Sequence, residues 1–304
     1  MKYYNDVRDL TGHTPLVKLN HLEFAAGRNV FAKLELFNPG GSVKDRMGAA
    51  LVRDAEERGV LKPGYTILEA TAGNAGIGIA LAALGKGYRV IFAVPEKFSE
   101  EKQIIMKAYG ARIVHTPKEK GMQGAIEKVE ELKKEVEHPV SLSQFSNPAN
   151  PRAHYETTGP EIYEDLDGLV DYLVAGAGSG GTISGAGKYL REKKPDVKII
   201  MADPIGSTMG GGEPGSYGIE GIGNTFMPET MNFSLVNKVY KIADDEAVEE
   251  LRLLAEKEGI LAGTSSGAAL SAARKAAEEA PHGSNLVVIL PDRGDRYFSK
   301  KIYG

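Results

Sequence analysis

The chain has 304 residues, 42% hydrophobic and 26% charged, the profile of an ordinary globular enzyme of about two domains. A formal net charge of −4 gives no electrostatic case for nucleic acid or an anionic membrane, and no apolar run reaches the length of a membrane span. There is no cysteine, so disulfides, thiolate metal sites and a cysteine nucleophile are excluded.

The first residues, Met1-Lys2-Tyr3-Tyr4-Asn5-Asp6, lack the apolar core of a signal peptide and point to the cytoplasm. The run Asn38-Pro39-Gly40-Gly41-Ser42-Val43-Lys44-Asp45-Arg46 sets a lysine after a Pro-Gly-Gly turn. An amphipathic helix is predicted to begin there, over 45–59. The N–H dipoles at a helix start disfavour an ammonium and favour a free amine. A free amine can attack a carbonyl and form a Schiff base. A solvated surface lysine is the plain alternative at this point.

A strand is predicted at 65–68, and Thr71-Ala72-Gly73-Asn74-Ala75-Gly76 then opens a helix at 75–84. Its backbone N–H groups suit a carboxylate, and Asn74 adds an amide that both donates and accepts. Strands at 89–94 and 112–115 flank a helix at 100–109. A helix at 124–137 follows, and its charge-dense stretch reads as a solvated face. Residues 145–160 are rich in Asn and Pro and are expected to be the crossing between two α/β halves.

A strand at 172–175 leads into Gly176-Ala177-Gly178-Ser179-Gly180-Gly181-Thr182 and a helix at 183–192. This loop satisfies the dinucleotide spacing, and Asp203 follows the next strand, 197–202, at about the distance that fingerprint requires. Its N–H groups and the Ser179 and Thr182 hydroxyls equally suit one terminal phosphate at a helix N-terminus. A tight turn for helix–strand packing is the third reading. Residues 204–228 contain eight glycines and are too long for an ordinary connection, which marks a functional loop. A helix at 245–258, the turn Gly263-Thr264-Ser265-Ser266-Gly267, a helix at 268–279 and a strand at 285–290 complete the chain.

This alternation predicts the α/β class, with mostly parallel sheets, helices on both faces and ligands at the carboxyl ends of strands. The six histidines show no metal spacing, so no metal site is expected. His154 is left between a structural role and a contact with the active region. Asp292 and Arg293 follow the last strand, where Asp292 is read either as a contact of Ser265 or as a loop stabiliser. Tyr217, in the long loop, is a candidate for lining a substrate site.

A lysine, a phosphate nest and a carboxylate nest together match what pyridoxal phosphate needs to act on an amino acid. From these residues the chain resembles, over nearly its whole length, the fold-type II pyridoxal-phosphate enzymes of the cysteine synthase and cystathionine β-synthase family. The matching motifs are Gly12-His13-Thr14-Pro15-Leu16, the Ser42 to Arg46 run, Thr71 to Gly76, Ser146-Asn147-Pro148-Ala149-Asn150-Pro151, Gly178 to Thr182, Glu220-Gly221-Ile222-Gly223 and Gly263 to Gly267.

The resemblance implies two doubly wound domains of the tryptophan synthase β-like kind, 1–148 and 149–304, with the first part of the chain packed on the second domain. It implies pyridoxal 5'-phosphate as cofactor and a homodimer. Lys44 becomes the Schiff-base lysine and the base that removes the substrate α-proton. Gly178, Ser179, Gly180, Gly181 and Thr182 would hold the phosphate, Asn74 the phenolic oxygen, and Ser265 would face the pyridine nitrogen. Thr71, Ala72, Gly73, Asn74 and Ala75 would clamp the substrate carboxylate, with Gln144 reaching in and Gly221 close to the substrate.

The implied reaction is β-replacement on O-acetylserine, with serine a poorer donor, through an α-aminoacrylate. Glu220, where sulfhydrylases usually carry glutamine, points to homocysteine as acceptor. The mixture of motifs is similar to the bacterial O-acetylserine-dependent cystathionine β-synthases. Cysteine synthesis from sulfide is the alternative, and a fold that has lost turnover or a nicotinamide enzyme are the remaining ones. Ala72 and Ala75 stand where the family pattern has hydroxyl residues; Ala72 is compatible with the bacterial cystathionine-synthase branch, while the hydroxyl missing at Ala75 implies weak donor binding.

Overall fold

The computed structural model describes residues 3–71, 73–96 and 99–304. Ten strands are described: β1 (Leu16–Lys18), β2 (Asn29–Leu34), β3 (Thr66–Ala70), β4 (Arg89–Pro95), β5 (Arg112–Thr116), β6 (Pro139–Val140), β7 (Tyr172–Gly176), β8 (Lys198–Pro204), β9 (Lys238–Ile242) and β10 (Asn285–Leu290). The α-helices are α1 (Lys44–Glu57), α2 (Asn74–Ala83), α3 (Glu100–Ala108), α4 (Gly121–Glu135), α5 (Ala149–Glu156), α6 (Thr158–Asp165), α7 (Gly181–Lys193), α8 (Asp244–Glu258) and α9 (Thr264–Glu279).

The strands form a six-stranded sheet, β1-β2-β10-β7-β8-β9, and a four-stranded sheet, β5-β4-β3-β6. Every pairing is parallel except β1 with β2. This is the α/β architecture the alternation predicts. Parallel strands covered on both faces read as unbroken apolar runs. The central β10 shows this, with Leu286 to Leu290 all buried. Among the described residues no helix is long and apolar enough to cross a membrane.

Several elements escaped the sequence. β1 and β2 lie in the larger sheet, beside β10. Lys33 interrupts the apolar pattern of β2, yet it is fully buried. Residues 145–160, expected as the crossing between two halves, hold α5 and the start of α6. Pro151 and Pro160 sit in the first turns of these helices, where a missing N–H costs nothing. The same prolines look like breakers in a sequence.

Two features fix where α1 begins. The first is a close approach of α1 and α2: a Cβ on Gly78 would strike the Lys44 carbonyl, and one on Gly48 would strike the Gly78 backbone. Only glycine allows backbones this near. The second is a buried ion cluster around Arg46. Its guanidinium meets Glu35 at 2.8 Å through Nε and Nη2, and Glu161 at 2.6 and 2.7 Å through Nη1 and Nη2. Lys33 Nζ adds a bond to Glu161 at 2.9 Å and donates to the Thr14 carbonyl at 2.7 Å. Thr14 Oγ1 and Asn38 Nδ2 complete the shell of Glu35, at 2.7 and 2.9 Å.

Burial alone raises a carboxyl pKa. For Glu161, the hydrogen bonds and charge of Arg46 outweigh that and hold it at about 2. Glu35, fully buried, is also held below its usual value, by the charge of Arg46 against the desolvation.

Replacing Arg46 by Met leaves two buried carboxylates without their main partner. We expect a loss of about 3–5 kcal/mol in urea unfolding, with only partial recovery in Arg46→Lys, which lacks the planar fork. Because the folded pKa of Glu161 is depressed, its contribution is present above its ordinary value of 4.5 and is lost as pH falls toward about 2. An unchanged urea midpoint in Arg46→Met would contradict the clamp.

Candidate active site

The turn before Lys44 is sewn to the carboxyl end of β10. Ser42 and Asp292 form an antiparallel bridge, and the Val43 N–H donates to the Pro291 carbonyl at 2.8 Å. Lys44 is then the first residue of α1. Among the described residues no hydrogen bond or ion pair engages its Nζ. Burial pushes its ammonium down to about 8, opposed only by the Asp292 carboxylate. The sequence attributed a free amine to helix dipoles. Desolvation is the larger cause.

The loop after β7 climbs into α7 with Gly180 in the left-handed region, φ 81°. A Cβ there would lie 2.6 Å from Met231, so glycine is required twice over. Among the described residues none of the N–H groups of Gly178, Ser179 and Gly180 donates to a backbone carbonyl. Gly181 and Thr182 open α7, where N–H groups have no intrahelical partner. Five successive N–H groups, Gly178 to Thr182, are thus left as donors for a ligand.

Helix α5 holds the loop from the other side. Asn150 Nδ2 donates to Ser179 Oγ at 2.9 Å and to the Gln144 carbonyl at 2.8 Å. One turn later, His154 Nε2 lies 3.2 Å from Thr182 Oγ1, and its Nδ1 lies 2.9 Å from Thr158 Oγ1. Burial drives the His154 pKa down to about 3, helped by the nearby charges of Arg46 and Lys44. The ring is therefore neutral, with one nitrogen free to accept and one to donate.

Asn74 caps the other wall. Its Nδ2 donates to Asp292 Oδ2 at 2.6 Å, and its Oδ1 accepts from Arg296 Nη1. One N–H of the amide remains for a ligand. Tyr297 OH donates to the same Asp292 oxygen at 2.6 Å. Asp292 thus contacts Asn74 and Tyr297, and it holds the loop together. Ser265, in the first turn of α9, is 3% exposed, and a Cβ on Gly221 would lie 3.9 Å from its Oγ. The Gly223 N–H reaches the Ala177 carbonyl at 2.8 Å, which ties the Glu220 loop to the phosphate loop.

Thr71 is buried behind β3, its Oγ1 accepting from the Gly73 N–H at 3.5 Å. Ala75 is buried among the core residues around Met47 and Met106. Ala72 lies outside the described residues. Gln144 is buried, with its carbonyl taken by Asn150. Glu220 is ion-paired with lysines from outside its own loop, Lys102 at 2.6 Å and Lys300 at 2.5 Å.

The residues present fit a phosphorylated aldehyde. A row of unpaired N–H groups beside two hydroxyls suits a phosphate. An unpaired amine with a depressed pKa suits a carbonyl carbon. Sequence reasoning passed over Lys102, Arg296 and Tyr297, and gave Asn150 no role of its own. The i, i+4 spacing of Asn150 and His154 puts both on one helix face, but only once α5 is recognised as a helix.

Comparison with known proteins agrees with this geometry. Residues 7–292 match the family model described as "Pyridoxal-phosphate dependent enzyme". The O-acetylserine dependent cystathionine beta-synthase of Bacillus subtilis is 50% identical, covering 100% of this chain and 99% of that protein. A cysteine synthase of Staphylococcus aureus is 44% identical, covering 99% of this chain and 98% of that one. The crystal structure of the O-acetylserine dependent cystathionine beta-synthase from Helicobacter pylori superposes with a TM-score of 0.95 at 43% identity, over 100% of both chains.

Only the neutral amine of Lys44 is a nucleophile. Uptake of pyridoxal phosphate by cofactor-free protein should therefore quicken as pH rises through about 8. Stopped-flow absorbance tests this. A rate flat across that value would contradict it, as would a covalent adduct that survives Lys44→Ala.

Proposed function

The chain belongs to the pyridoxal-phosphate-dependent enzymes, and from that premise we propose that it replaces the acetoxy group of O-acetylserine with a thiol, homocysteine foremost, giving cystathionine and acetate. The observation that carries this reading is the Lys44 amine, unpaired and with its pKa lowered to about 8, at the start of α1 after a turn bridged to Asp292.

When bound, the cofactor supplies a conjugated ring that accepts the electrons released at the substrate α-carbon. Gly178 to Thr182 would hold its phosphate by N–H and hydroxyl donors, with Asn150 and His154 orienting the Ser179 and Thr182 hydroxyls. Asn74 would offer its remaining N–H to the phenolic oxygen, while Asp292 and Arg296 fix the amide. Ser265 would offer a neutral hydroxyl to the ring nitrogen and so would not enforce its protonation, a setting that would favour loss of a β-substituent over transamination.

The loop at Thr71, Gly73, Asn74 and Ala75, with Ala72 and Gln144, binds the donor carboxylate. Lys44 takes the α-proton, the Cβ–O bond to acetate breaks, and the thiol, losing its S–H proton to solvent, forms the new S–Cβ bond as a thiolate. Lys44 then returns the proton to the α-carbon. Gly221 lies beside the substrate, and the Glu220 carboxylate offers an amino-bearing thiol a partner that sulfide cannot use.

A second reading, cysteine synthesis from sulfide, is favoured by one observation: both oxygens of Glu220 already meet lysines. We also read residues 1–148 and 149–304 as two domains, with β1 and β2 packed on the second. The exposed apolar side chains Tyr3, Tyr4, Val7 and Leu10 support burial in a homodimer, and we place the enzyme in the cytoplasm.

A matrix of O-acetylserine and serine against homocysteine and sulfide tests the reading. We expect the highest kcat/KM with O-acetylserine and homocysteine, and a much higher value with sulfide would select the second reading. Ala75→Thr adds a charge-assisted hydrogen bond to the donor carboxylate. About a 10-fold fall in donor KM is expected, and an unchanged KM and kcat/KM would remove Ala75 from the substrate loop.

A further inference from the structure

The two ion pairs of Glu220 are not alike. Lys102 is buried, with its side chain 3% exposed, and its Nζ also lies 3.3 Å from Tyr297 OH and 4.4 Å above the Tyr297 ring. Lys300 has a side chain 38% exposed, against 23% for Glu220. Lys102 is thus a fixed counter-ion on Oε2, held by a carboxylate and an aromatic face together. Lys300 is a solvated counter-ion on Oε1, and exposed pairs of this kind separate at little cost.

The pair also stands at the border of the candidate site. The Glu220 N–H donates to Thr264 Oγ1 at 2.8 Å, and the next residue, Gly221, faces Ser265. From Lys102, contacts run through Tyr297 and Asp292 to Asn74.

We propose that the Glu220–Lys300 pair is the recognition site for the zwitterionic head of a thiol amino acid, with the acceptor's ammonium on Glu220 and its carboxylate on Lys300. The inference rests on the β-replacement reading and adds to it Lys300 as the residue that recognises the acceptor's carboxylate. A zwitterion carries both charges on neighbouring atoms, so it replaces one ion pair by two and leaves no charge unpaired. Lys102 remains on Oε2 throughout and keeps the carboxylate ionised and in place. Sulfide has neither group and gains nothing from the pair.

Three thiols separate the two halves of the site. Homocysteine has both charges, 4-mercaptobutanoate lacks the ammonium, and 3-aminopropanethiol lacks the carboxylate. Dissociation constants of each for the holoenzyme are measured by calorimetry without donor, and KM values are measured with saturating O-acetylserine. Glu220→Gln should weaken homocysteine and 3-aminopropanethiol by about 10-fold and leave 4-mercaptobutanoate unchanged. Lys300→Met should weaken homocysteine and 4-mercaptobutanoate by about 10-fold and leave 3-aminopropanethiol unchanged. Lys300→Arg should restore binding.

Equal shifts for all three thiols, or none, overturn the proposal. If wild-type protein turned over no thiol with O-acetylserine, the β-replacement reading would fall by itself. The calorimetric pattern would still decide the ion pair.

Discussion

The placement of Lys44 depends on Arg46. Two residues apart on the first turn of α1, they are bound to opposite tasks. Arg46 reaches Glu35, just after β2, and Glu161 on α6, and both contacts are bidentate. Its guanidinium therefore joins the start of α1 to two distant stretches of chain. The Gly78 contact presses α2 onto the Lys44 carbonyl from the other side. The turn itself is braced by Ser42 Oγ, which accepts from the Lys44 N–H at 3.3 Å, and by Asp45, which accepts from the Gly40 N–H, so the Lys44 side chain takes no part in holding its place.

The same burial has contrary effects on these two cations. Arg46 keeps its charge because two carboxylates surround it. Lys44 is desolvated with no carboxylate in contact, so its pKa falls to about 8. His154 shows the same logic, reaching about 3 among cations in a buried setting. A low-dielectric region that pairs one cation and leaves the next unpaired yields a rigid anchor and a reactive amine within one helical turn.

The phosphate loop shows a comparable division of labour. Its backbone supplies the donors, and its glycines allow the approach. The hydroxyls of Ser179 and Thr182 have freely rotating hydrogens, and their direction comes from Asn150 and His154 on α5. The loop is local in sequence, but the helix that orients it starts some thirty residues earlier. Asn74 is likewise oriented from far away, by Asp292 and Arg296 near the end of the chain.

The sequence by itself determined the α/β class, the cofactor family and the loops that bear the chemistry. Apolar runs, glycine turns and helix starts are local signals, and Lys44, Asn74, Ser179 and Ser265 all sit on them. It missed β1, β2, β6, β9, α5 and α6: Lys33 breaks the apolar run of β2, and Pro151 and Pro160 mimic helix breakers in α5 and α6. Only the tertiary structure decided that burial is what frees the Lys44 amine, that Arg46 sits between two carboxylates, and that Glu220 faces Lys102 and Lys300. The physical reason is common to all three. Desolvation and ion pairing depend on which groups meet across long chain separations, and no local pattern of residue types encodes that.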